Sequence, residues 1–321
     1  MKRKGRLTEN QYSDLFLRNE NNPIITYKDL PYRANSVFNA GVTKYNGETL
    51  LLLRVEDFRG HSHLTVAKSK DGVSNWRIEE KPTIVPDPLN FPEDEWGVED
   101  ARITYLEEIE KYAITFVSYS KKGPLVSLAL TEDFKTFERM GAVLPPNDKD
   151  AALFPKKING EWVMLHRPYP GDVPDGAHVH ISYSSDLVTW ERRKIILKAR
   201  KGGWWDASKI GLNTQPLLTE HGWLISYHGV RQTCAGCIYR LGLALLDTDN
   251  PEIVTHRSDE WVFGPNESYE LQGDVGNVVF PCGWLKKNDE IWMYYGAADT
   301  SMALAIANYN DVIEEILKYP V

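Results

Sequence analysis

The sequence has few cysteines and no long apolar segment. A C-x-x-C pair, Cys234 and Cys237, lacks the further cysteines or spaced histidines that would complete a zinc site, and only Cys282 remains. No stretch approaches the about 18–20 apolar residues of a membrane helix. The basic first residues lack the apolar region of a signal peptide. We therefore expect a cytoplasmic protein that binds no membrane and no metal.

Positive charge is also scarce. The chain carries 37 Lys and Arg against 45 Asp and Glu, for a formal net charge of -8. This argues against a general nucleic-acid binder, which needs a basic face. The motifs G-x-G-x-x-G, G-x-x-x-x-G-K, G-x-S-x-G and H-E-x-x-H are missing as well. Nucleotide-dependent and serine-nucleophile chemistry therefore have no support.

What the sequence does contain is a repeat. A small polar residue, a hydrophobic run, a turn and a second hydrophobic run recur five times, beginning near Asn39, Asp100, Asp150, Asn213 and Asn277. The second runs predict strands at Leu50–Val55, Tyr112–Ser118, Trp162–His166, Trp223–Tyr227 and Ile291–Tyr295. Strand-rich repeats of roughly 50–65 residues are typical of β-propellers. We predict an all-β, five-bladed β-propeller that forms one domain over residues 1–321.

Turns and chain ends complete this interpretation. Asn46-Gly47 and Asn159-Gly160 predict hairpins. A fainter repeat follows each hairpin, in which a strand leads to a Ser/Thr–Asp turn, and we interpret its aspartates as structural turn caps. Residues 1–30 are expected to form an irregular N-terminal arm, and residues 311–321 a C-terminal helix with its body at Asp311–Lys318. Both ends could be contacts in a homo-oligomer.

Polar residues stand at the ends of the apolar strands, where burial makes charge costly unless it is paired or used. They are Asn39, Arg54, Glu56, Asp57, Glu99, Asp100, Arg102, Asp148, Lys149, Asp150, His166, Arg167, Lys209, Asn213, His228 and Asp299. Each alone could be a structural ion pair. Together they divide by sign: repeats one, two and five supply carboxylates and amides, and repeats three and four supply most of the cations.

This division has a meaning in glycoside cleavage. The leaving oxygen needs a proton from a carboxylic acid. An inverting hydrolase uses a second carboxylate to activate water. Inorganic phosphate as nucleophile needs no base, but it needs cations that bind and orient it. A carboxylate beside a cationic cluster therefore favours phosphorolysis over hydrolysis.

Ten segments, in order, resemble glycoside hydrolase family 130, the β-mannoside phosphorylases. They are VFNAGV (37–42), WGVEDARI (96–103), DKDAALFP (148–155), MLHRP (164–168), WWD (204–206), KIG (209–211), YHGV (227–230), GLALLD (242–247), NVVFPCG (277–283) and YYGAADT (294–300). The resemblance covers the chain from about Asn22 to its end. It implies a five-bladed β-propeller and an enzyme that uses inorganic phosphate as co-substrate and no metal or organic cofactor.

The resemblance also implies roles for individual residues. Asp100 matches the family's general acid, whose proton reaches the glycosidic oxygen through the mannose 3-hydroxyl. The positions that match the mannose site are Asn39, Arg54 and Asp299. Those that match the phosphate site are Arg167, Lys209 and His228, with Tyr239 as a hydroxyl donor. Lys149 stands where some family members have arginine, and it keeps the charge but loses the bidentate fork.

The predicted function is that of an inverting phosphorylase that converts a β-mannoside and phosphate into α-mannose 1-phosphate and a shortened sugar. A β-1,4 linkage is favoured. The alternatives are a β-1,2-mannoside phosphorylase, a β-mannosidase on the same fold, and a non-catalytic carbohydrate-binding propeller. Family members that hydrolyse carry acids in place of the cations. Acceptor contacts are expected from rim elements, namely the 57–63 loop, Trp96, the 169–178 loop and Trp205.

Overall fold

The structure, a computed structural model, describes residues 7–8, 11–12, 14–169 and 176–321. Over these residues the chain is nearly all β, as predicted, with strands numbered β1–β23 in chain order and the two α-helices α1 (Ser268–Leu271) and α2 (Tyr309–Ile316). Two short 3₁₀ helices lie at Tyr27–Asp29 and Pro92–Asp94. Strands β1 (Leu7–Thr8) and β2 (Gln11–Tyr12) pair with each other.

The remaining strands form five antiparallel units. Unit 1 contains β4 (Ser36–Tyr45), β5 (Glu48–Glu56), β6 (Ser62–Ser69) and β7 (Arg77–Ile78). Unit 2 contains β8 (Gly97–Leu106), β9 (Lys111–Ser120), β10 (Gly123–Thr131) and β11 (Glu138–Ala142). Unit 3 contains β12 (Asp148–Leu153), β13 (Trp162–Pro168), β14 (Val179–Ser184) and β15 (Glu191–Leu197).

Units 4 and 5 follow the same plan. Unit 4 contains β16 (Lys209–Leu212), β17 (Leu217–Thr219), β18 (Gly222–Thr233), β19 (Gly236–Leu246) and β20 (Val254–Arg257). Unit 5 contains β21 (Val279–Lys287), β22 (Glu290–Ala297), β23 (Ser301–Asn308) and, as its outer strand, β3 (Leu17–Arg18). Each of the five strands that the sequence predicts therefore lies inside an observed strand.

Units 1 and 2 are linked edge to edge by a single parallel pair, Ser62 with Gly97. Gly97 has a φ of 141°, and a Cβ there would lie 2.8 Å from the Ser62 nitrogen. Only glycine gives this close approach without strain. The pair holds β8 beside β6 and so fixes the strand that carries Asp100.

The hydrophobic core lies between the units. One cluster each joins units 1 and 2, 2 and 3, 3 and 4, and 4 and 5. A further cluster joins unit 5 to unit 1, where Tyr294 and Leu304 pack with Val37 and Leu53. Since a cluster of apolar side chains lies at each of these junctions, the units bury their hydrophobic surface against one another.

Local turn chemistry follows the sequence. Asn46 and Gly47 have φ values of 50° and 80°, as a tight hairpin turn between β4 and β5 requires. In units 1, 2 and 3 an aspartate caps the turn after the third strand by accepting two backbone N–H groups: Asp71, Asp133 and Asp186. Their interpretation as structural caps is confirmed.

The chain ends differ from the prediction. The helix α2 begins at Tyr309, two residues early, because the Asn308 side chain accepts N–H groups of Asn310 and Asp311, and it ends at Ile316 rather than Val321. The N-terminal arm is not wholly irregular, since β3 pairs with β23. The part of the arm at residues 1–6, 9–10 and 13 lies outside the described residues.

Cys234 and Cys237 lie at the β18–β19 hairpin, and all three cysteines are free thiols. Along the described parts of the chain, the structure contains no helix of the length and apolar character that a membrane crossing demands.

Candidate active site

The first strands of units 1, 2 and 3 each contain a bulge at the same place. Asn39, Asp100 and Asp150 occupy these bulges with φ values of 48°, 50° and 54°, in the left-handed region that Asn and Asp tolerate best. A bulge turns a side chain away from the regular alternation of a strand. The first residues of three repeats are thereby presented in the same manner, and all three are buried.

Asp100 lies among cationic and amide donors. Its Oδ1 accepts Asn39 Nδ2 and Arg54 Nη1, each at 2.9 Å, and its Oδ2 lies 3.7 Å from Lys149 Nζ. Burial raises the pKa of Asp100, but the charges of Arg54 and Lys149 outweigh it and lower the pKa to about 2. The carboxylate is therefore ionised in the empty site at neutral pH.

Arg54 is the centre of this acid cluster, which we define as Asn39, Arg54, Asp100 and Asp299. Besides Asp100, its guanidinium contacts Glu99 at 3.1 Å and Glu56 at 3.5 Å. Asp299 lies in the turn between β22 and β23 with a φ of 51°. Burial raises its pKa to about 6, against the opposing effect of Arg54, and the nearby Asp100 charge contributes to the rise. The structure thus brings the four residues into one electrostatic cluster.

A cavity of about 390 Å³ adjoins the acid cluster. All five residues of the predicted phosphate site line it: Lys149, Arg167, Lys209, His228 and Tyr239. Phe280 closes part of its wall. We call this the cationic cavity. Lys149 belongs to its lining and also lies 3.7 Å from Asp100, so the cavity and the acid cluster meet at this residue.

Asp150 supports the cationic cavity from behind. Its Oδ2 accepts Arg167 Nε at 2.6 Å and lies 3.6 Å from His228 Nε2. Although burial opposes ionisation, Arg167 and its other cationic neighbours hold the pKa of Asp150 far below its usual range. A Cβ at Gly211 would overlap both Asp150 Oδ2 and the His228 ring, so glycine is required for this packing.

His228 is held as a neutral imidazole. Its Nδ1 lies 2.9 Å from Asn213 Oδ1, an arrangement in which Nδ1–H donates to the amide oxygen. Burial and the charges of Arg167 and Lys209 lower the pKa of His228 to about 3, against the opposing effect of Asp150. The ring therefore adds no charge to the cavity at neutral pH, and its Nε2 can donate to a phosphate oxygen only when the charge of a bound phosphate favours protonation of the ring.

Lys209 carries a positive charge that Asp150, which lies beyond ion-pair distance, offsets only in part. Burial and the nearby Arg167 lower its pKa, and among the described residues no carboxylate lies within ion-pair distance of its ammonium. Its Nζ lies 5.6 Å from the centre of the Tyr239 ring. Lys149 differs, since Asp100 and Asp150 raise its pKa despite burial. The cavity therefore has positive charge free to bind an anion.

Three residues matter more than sequence reasoning indicated. The sequence identifies them only as polar residues at strand ends, yet in the structure each contacts groups of the site: they are Arg102, Asp150 and Asn213. The available signal was their position in the five-fold repeat beside the assigned residues. Two other residues of that set serve elsewhere: Asp57 pairs with Arg59, and His166 bonds to Asp148 and Ser182.

The rim elements have separate outcomes. Trp96 is partly exposed and packs edge to face on Tyr119, with ring centres 5.2 Å apart. Phe58 of the 57–63 loop is exposed, and so is Tyr169, which lines the cationic cavity. The expectation for Trp205 is wrong, because its ring is buried, stacks on Tyr227 and donates to the Asp259 carbonyl. Residues 170–175 of the 169–178 loop lie outside the described residues.

Within the described ranges no group of three or more His, Cys, Asp or Glu residues is arranged to hold a metal ion. The site geometry instead consists of a cluster of carboxylates around Arg54, which includes Asp100, and an adjoining cavity whose lining is rich in cationic side chains. Such a pair of environments can bind an anion next to a group that transfers a proton.

Comparison with known proteins places this geometry in a family. The glycoside hydrolase family 130 profile, described as beta-1,4-mannooligosaccharide phosphorylase, matches residues 11–318. The beta-1,4-mannooligosaccharide phosphorylase of Ruminococcus albus is 34% identical over 94% of this chain and 91% of its own length. The beta-1,2-mannobiose phosphorylase of Listeria innocua is 33% identical over 93% of this chain and 98% of its own length.

Solved structures agree with the sequence comparison. The beta-1,2-mannobiose phosphorylase from Listeria innocua, in complex with beta-1,2-mannobiose, superposes with a TM-score of 0.85 at 31% identity, covering 94% of this chain and 99% of the other. The TM-score, the share of the two chains that is covered and the sequence identity are all higher than unrelated proteins show. The chain belongs to glycoside hydrolase family 130, the family of the β-mannoside phosphorylases.

Proposed function

We propose that this chain is an inverting phosphorylase that cleaves a β-mannosidic bond, β-1,4 in preference, with inorganic phosphate. The products are α-mannose 1-phosphate and a sugar shortened by one mannose, and the reaction is reversible. The observation that carries the proposal is the cationic cavity, which unites five predicted phosphate ligands and meets Asp100 at Lys149.

The five units are interpreted as the blades of one propeller domain over residues 1–321. The hydrophobic clusters support this, because they join each unit to the next and the fifth unit to the first. In a propeller the first strands of the blades surround a central axis. That arrangement accounts for the meeting of Asn39, Asp100 and Asp150 from three different repeats.

Phosphate binding follows from the charge of the cationic cavity. Lys209 has no carboxylate partner among the described residues. Arg167 bonds Asp150 through Nε, which leaves its two terminal nitrogens able to donate to a ligand. Phosphate oxygens would accept these donors, with Tyr239 as a neutral donor. Phosphate held there attacks the anomeric carbon from the face opposite the leaving oxygen, and the configuration inverts.

Proton transfer is assigned to Asp100. Dianionic phosphate beside Lys149 offsets the positive charge that holds the pKa of Asp100 low, so phosphate binding favours the protonated acid. The proton passes to the mannose 3-hydroxyl while that hydroxyl gives its own proton to the leaving oxygen. As the bond from C1 to that oxygen breaks, C1 bonds to a phosphate oxygen. The P–OH proton of the product returns to Asp100, which balances the cycle.

The mannose ring is assigned to the acid cluster. Asn39 Oδ1 is buried and has no hydrogen-bond partner among the described residues, although its amide nitrogen bonds Asp100. A sugar hydroxyl would satisfy this acceptor, which otherwise costs about 1–3 kcal/mol. Arg54 fixes Asp100, and Asp299 can bond further hydroxyls. We assign these three residues to binding and Asp100 alone to catalysis.

Hydrolysis is less consistent with the site. A β-mannosidase on this fold would use a second carboxylate to activate water. The two buried carboxylates at the cavity are already paired: Asp150 with Arg167, and Asp148, which lines the cavity, with His166. The rim aromatics Trp96 and Tyr119 offer a surface on which an acceptor sugar can stack.

The decisive experiment is a product assay. The protein is incubated with β-1,4-mannobiose or β-1,2-mannobiose, with and without phosphate, and products are identified by ³¹P and ¹H NMR. We expect α-mannose 1-phosphate from the β-1,4 substrate only when phosphate is present. Free mannose without phosphate indicates a β-mannosidase, turnover of the β-1,2 substrate alone refutes the linkage, and binding without turnover indicates a carbohydrate-binding protein.

Three further properties remain predictions: independence of metals and organic cofactors, a cytoplasmic location and a homo-oligomeric state. Activity that persists after dialysis against EDTA supports the first, and loss restored by a divalent cation refutes it. Cell fractionation tests the second. Light scattering at several protein concentrations measures the third.

A further inference from the structure

Arg102 is a buried arginine that connects three of the five units. It lies on β8, two residues after Asp100, and its side chain is almost fully buried. Its Nη1 donates to the Asp100 carbonyl at 2.9 Å, and its Nε to the Asn213 carbonyl at 2.9 Å. Its Nη2 donates to the Leu212 carbonyl at 3.1 Å. All three acceptors are main-chain oxygens, of Asp100 on β8, of Leu212 at the end of β16 and of Asn213 directly after it.

Two neighbours of Arg102, Asn213 and Asp150, orient side chains of the site. Asn213, whose carbonyl Arg102 binds, holds His228 through its own side chain at 2.9 Å. Asp150 Oδ1 lies 3.5 Å from Arg102 Nη2, while Asp150 Oδ2 accepts Arg167 Nε at 2.6 Å. Arg102 is thus one residue removed from both His228 and Arg167, and it bonds the backbone of Asp100 itself.

From this geometry we propose that Arg102 is a positioning residue that sets the placement of the general acid Asp100 relative to the phosphate ligands Arg167 and His228. It touches neither the sugar nor the phosphate. The inference rests on the proposed function, from which it takes the roles of Asp100 and of the cationic cavity. It adds a residue that couples the two halves of the reaction centre.

The guanidinium group suits this role and an ammonium does not. Three carbonyl acceptors from two segments, Asp100 and the adjacent residues Leu212 and Asn213, surround the side chain, and arginine offers five N–H donors in a fixed planar fork. Lysine retains the positive charge, but its single nitrogen cannot reach all three carbonyls. At least one buried carbonyl would lose its partner, and the strands of units 2 and 4 would be free to shift.

The test compares Arg102→Lys with wild type in steady-state phosphorolysis of the mannoside. A misplacement of about 1 Å can cost about 100-fold in rate. We therefore expect kcat to fall about 100-fold and the phosphate KM to rise about 10-fold in the same variant, because both halves lose their relative placement. Variants of Arg167 are expected to change chiefly the phosphate KM, and variants of Asp100 chiefly kcat.

The matched control is Arg18→Lys. Arg18 is also a mostly buried arginine that joins distant elements, since it donates to the Gly264 carbonyl at 2.6 Å and to both oxygens of Glu270 at 2.8 Å. It lies on β3, outside the acid cluster and the cationic cavity. We expect the melting temperature of Arg18→Lys to fall, while its kcat and both of its KM values stay within about threefold of wild type.

Several outcomes overturn the inference. If folded Arg102→Lys keeps kcat and the phosphate KM near wild type, or loses only one of them, Arg102 does not couple the halves. If it fails to fold, Arg102→Gln replaces it, since a glutamine amide keeps a donor for the carbonyls that Arg102 binds but cannot reach all of them; a folded Arg102→Gln with wild-type kcat and phosphate KM then refutes the inference. A wild-type protein without phosphate-dependent turnover refutes the proposed function as well.

Discussion

The acid cluster and the cationic cavity differ in whether the protein supplies a carboxylate partner for the cation at the centre of each. In the acid cluster Arg54 contacts Asp100, Glu99 and Glu56, so its positive charge is fully offset by carboxylates of the protein. In the cavity Lys209 has no ion-pair partner among the described residues, and burial with a like charge lowers its pKa. The sugar side is therefore preformed, whereas the cavity retains positive charge that an anion must balance.

The largest effect is expected for Asp100→Asn, which removes the proton donor and leaves the shape of the acid cluster almost unchanged. General acid catalysis is worth about 10²–10⁴-fold, so we expect kcat to fall by about 10³-fold with little change in the phosphate KM. Release of mannose 1-phosphate measures it. Asp133→Asn, at an exposed turn, is the control, and a near-normal rate in Asp100→Asn would remove Asp100 from catalysis.

The next effect distinguishes the two kinds of cation. Arg167→Met and Lys209→Met should each raise the phosphate KM about 10–100-fold, because charged hydrogen bonds contribute about 1.5–3 kcal/mol. Their stabilities should differ. Arg167→Met leaves Asp150 without its 2.6 Å partner and should lower the melting temperature.

Lys209→Met breaks no ion pair among the described residues, so its melting temperature should not fall. Scanning calorimetry without phosphate measures both proteins. An equal loss of stability in the two variants would contradict the claim that only one of these cations is balanced by the protein.

Two glycines provide a smaller, paired test. A Cβ at Gly211 would overlap Asp150 and His228, and a Cβ at Gly296 would overlap Asn39. Gly211→Ala should therefore raise the phosphate KM, and Gly296→Ala the mannoside KM, each about 10-fold, with about 1–3 kcal/mol of lost stability from overpacking. Gly203→Ala, in open space, is the control. If the two effects are exchanged, the division of the site is wrong.

The smallest expected effect is on stability. The pKa of Asp299 is raised to about 6 from an ordinary 3.8, mainly by burial, so the folded protein holds a proton there that the unfolded chain releases. Stability then falls as pH rises from about 4 to 6. Asp299→Asn should remove this loss and stabilise the protein by about 1 kcal/mol at pH 7.5, discounted for partial exposure.

Urea unfolding at pH 4.5 and pH 7.5 measures the difference, which should be near zero at the lower pH. The mannoside KM should rise in the same variant, because Asp299 is assigned to the sugar. If Asp299→Asn is less stable than wild type at pH 7.5, the ionised carboxylate of Asp299 does not destabilise the folded protein, and the prediction is wrong.

Local features of the fold were predictable from the sequence. Runs such as Trp162–His166 and turns such as Asn46-Gly47 depend on neighbouring residues, and the structure confirms them. The predicted start of α2, Asp311, is two residues too late because the prediction did not include the cap at Asn308. Contacts between distant repeats were not predictable, as Trp205 demonstrates: nothing near it in the sequence indicates that it is buried on Tyr227.

The site shows the same limit. The repeat marked a set of polar residues at strand ends, and the resemblance to the family implied the roles of Asp100, Arg167 and His228 within that set. The support that Asp150 and Asn213 give to the cations depends on which side chains meet across units. Such meetings join residues far apart in the chain, and a single sequence carries no direct signal of them.

The pairing of β3 with β23 has a consequence for biosynthesis. Leu17 pairs with Ile306, so unit 5 obtains its outer strand from the opposite end of the chain. During synthesis β3 leaves the ribosome early, but it cannot pair with β23 until nearly the whole chain has emerged. Closing so long a loop is slow. The edge of β23 is therefore the last to be covered and the most exposed to aggregation on the way to the native state.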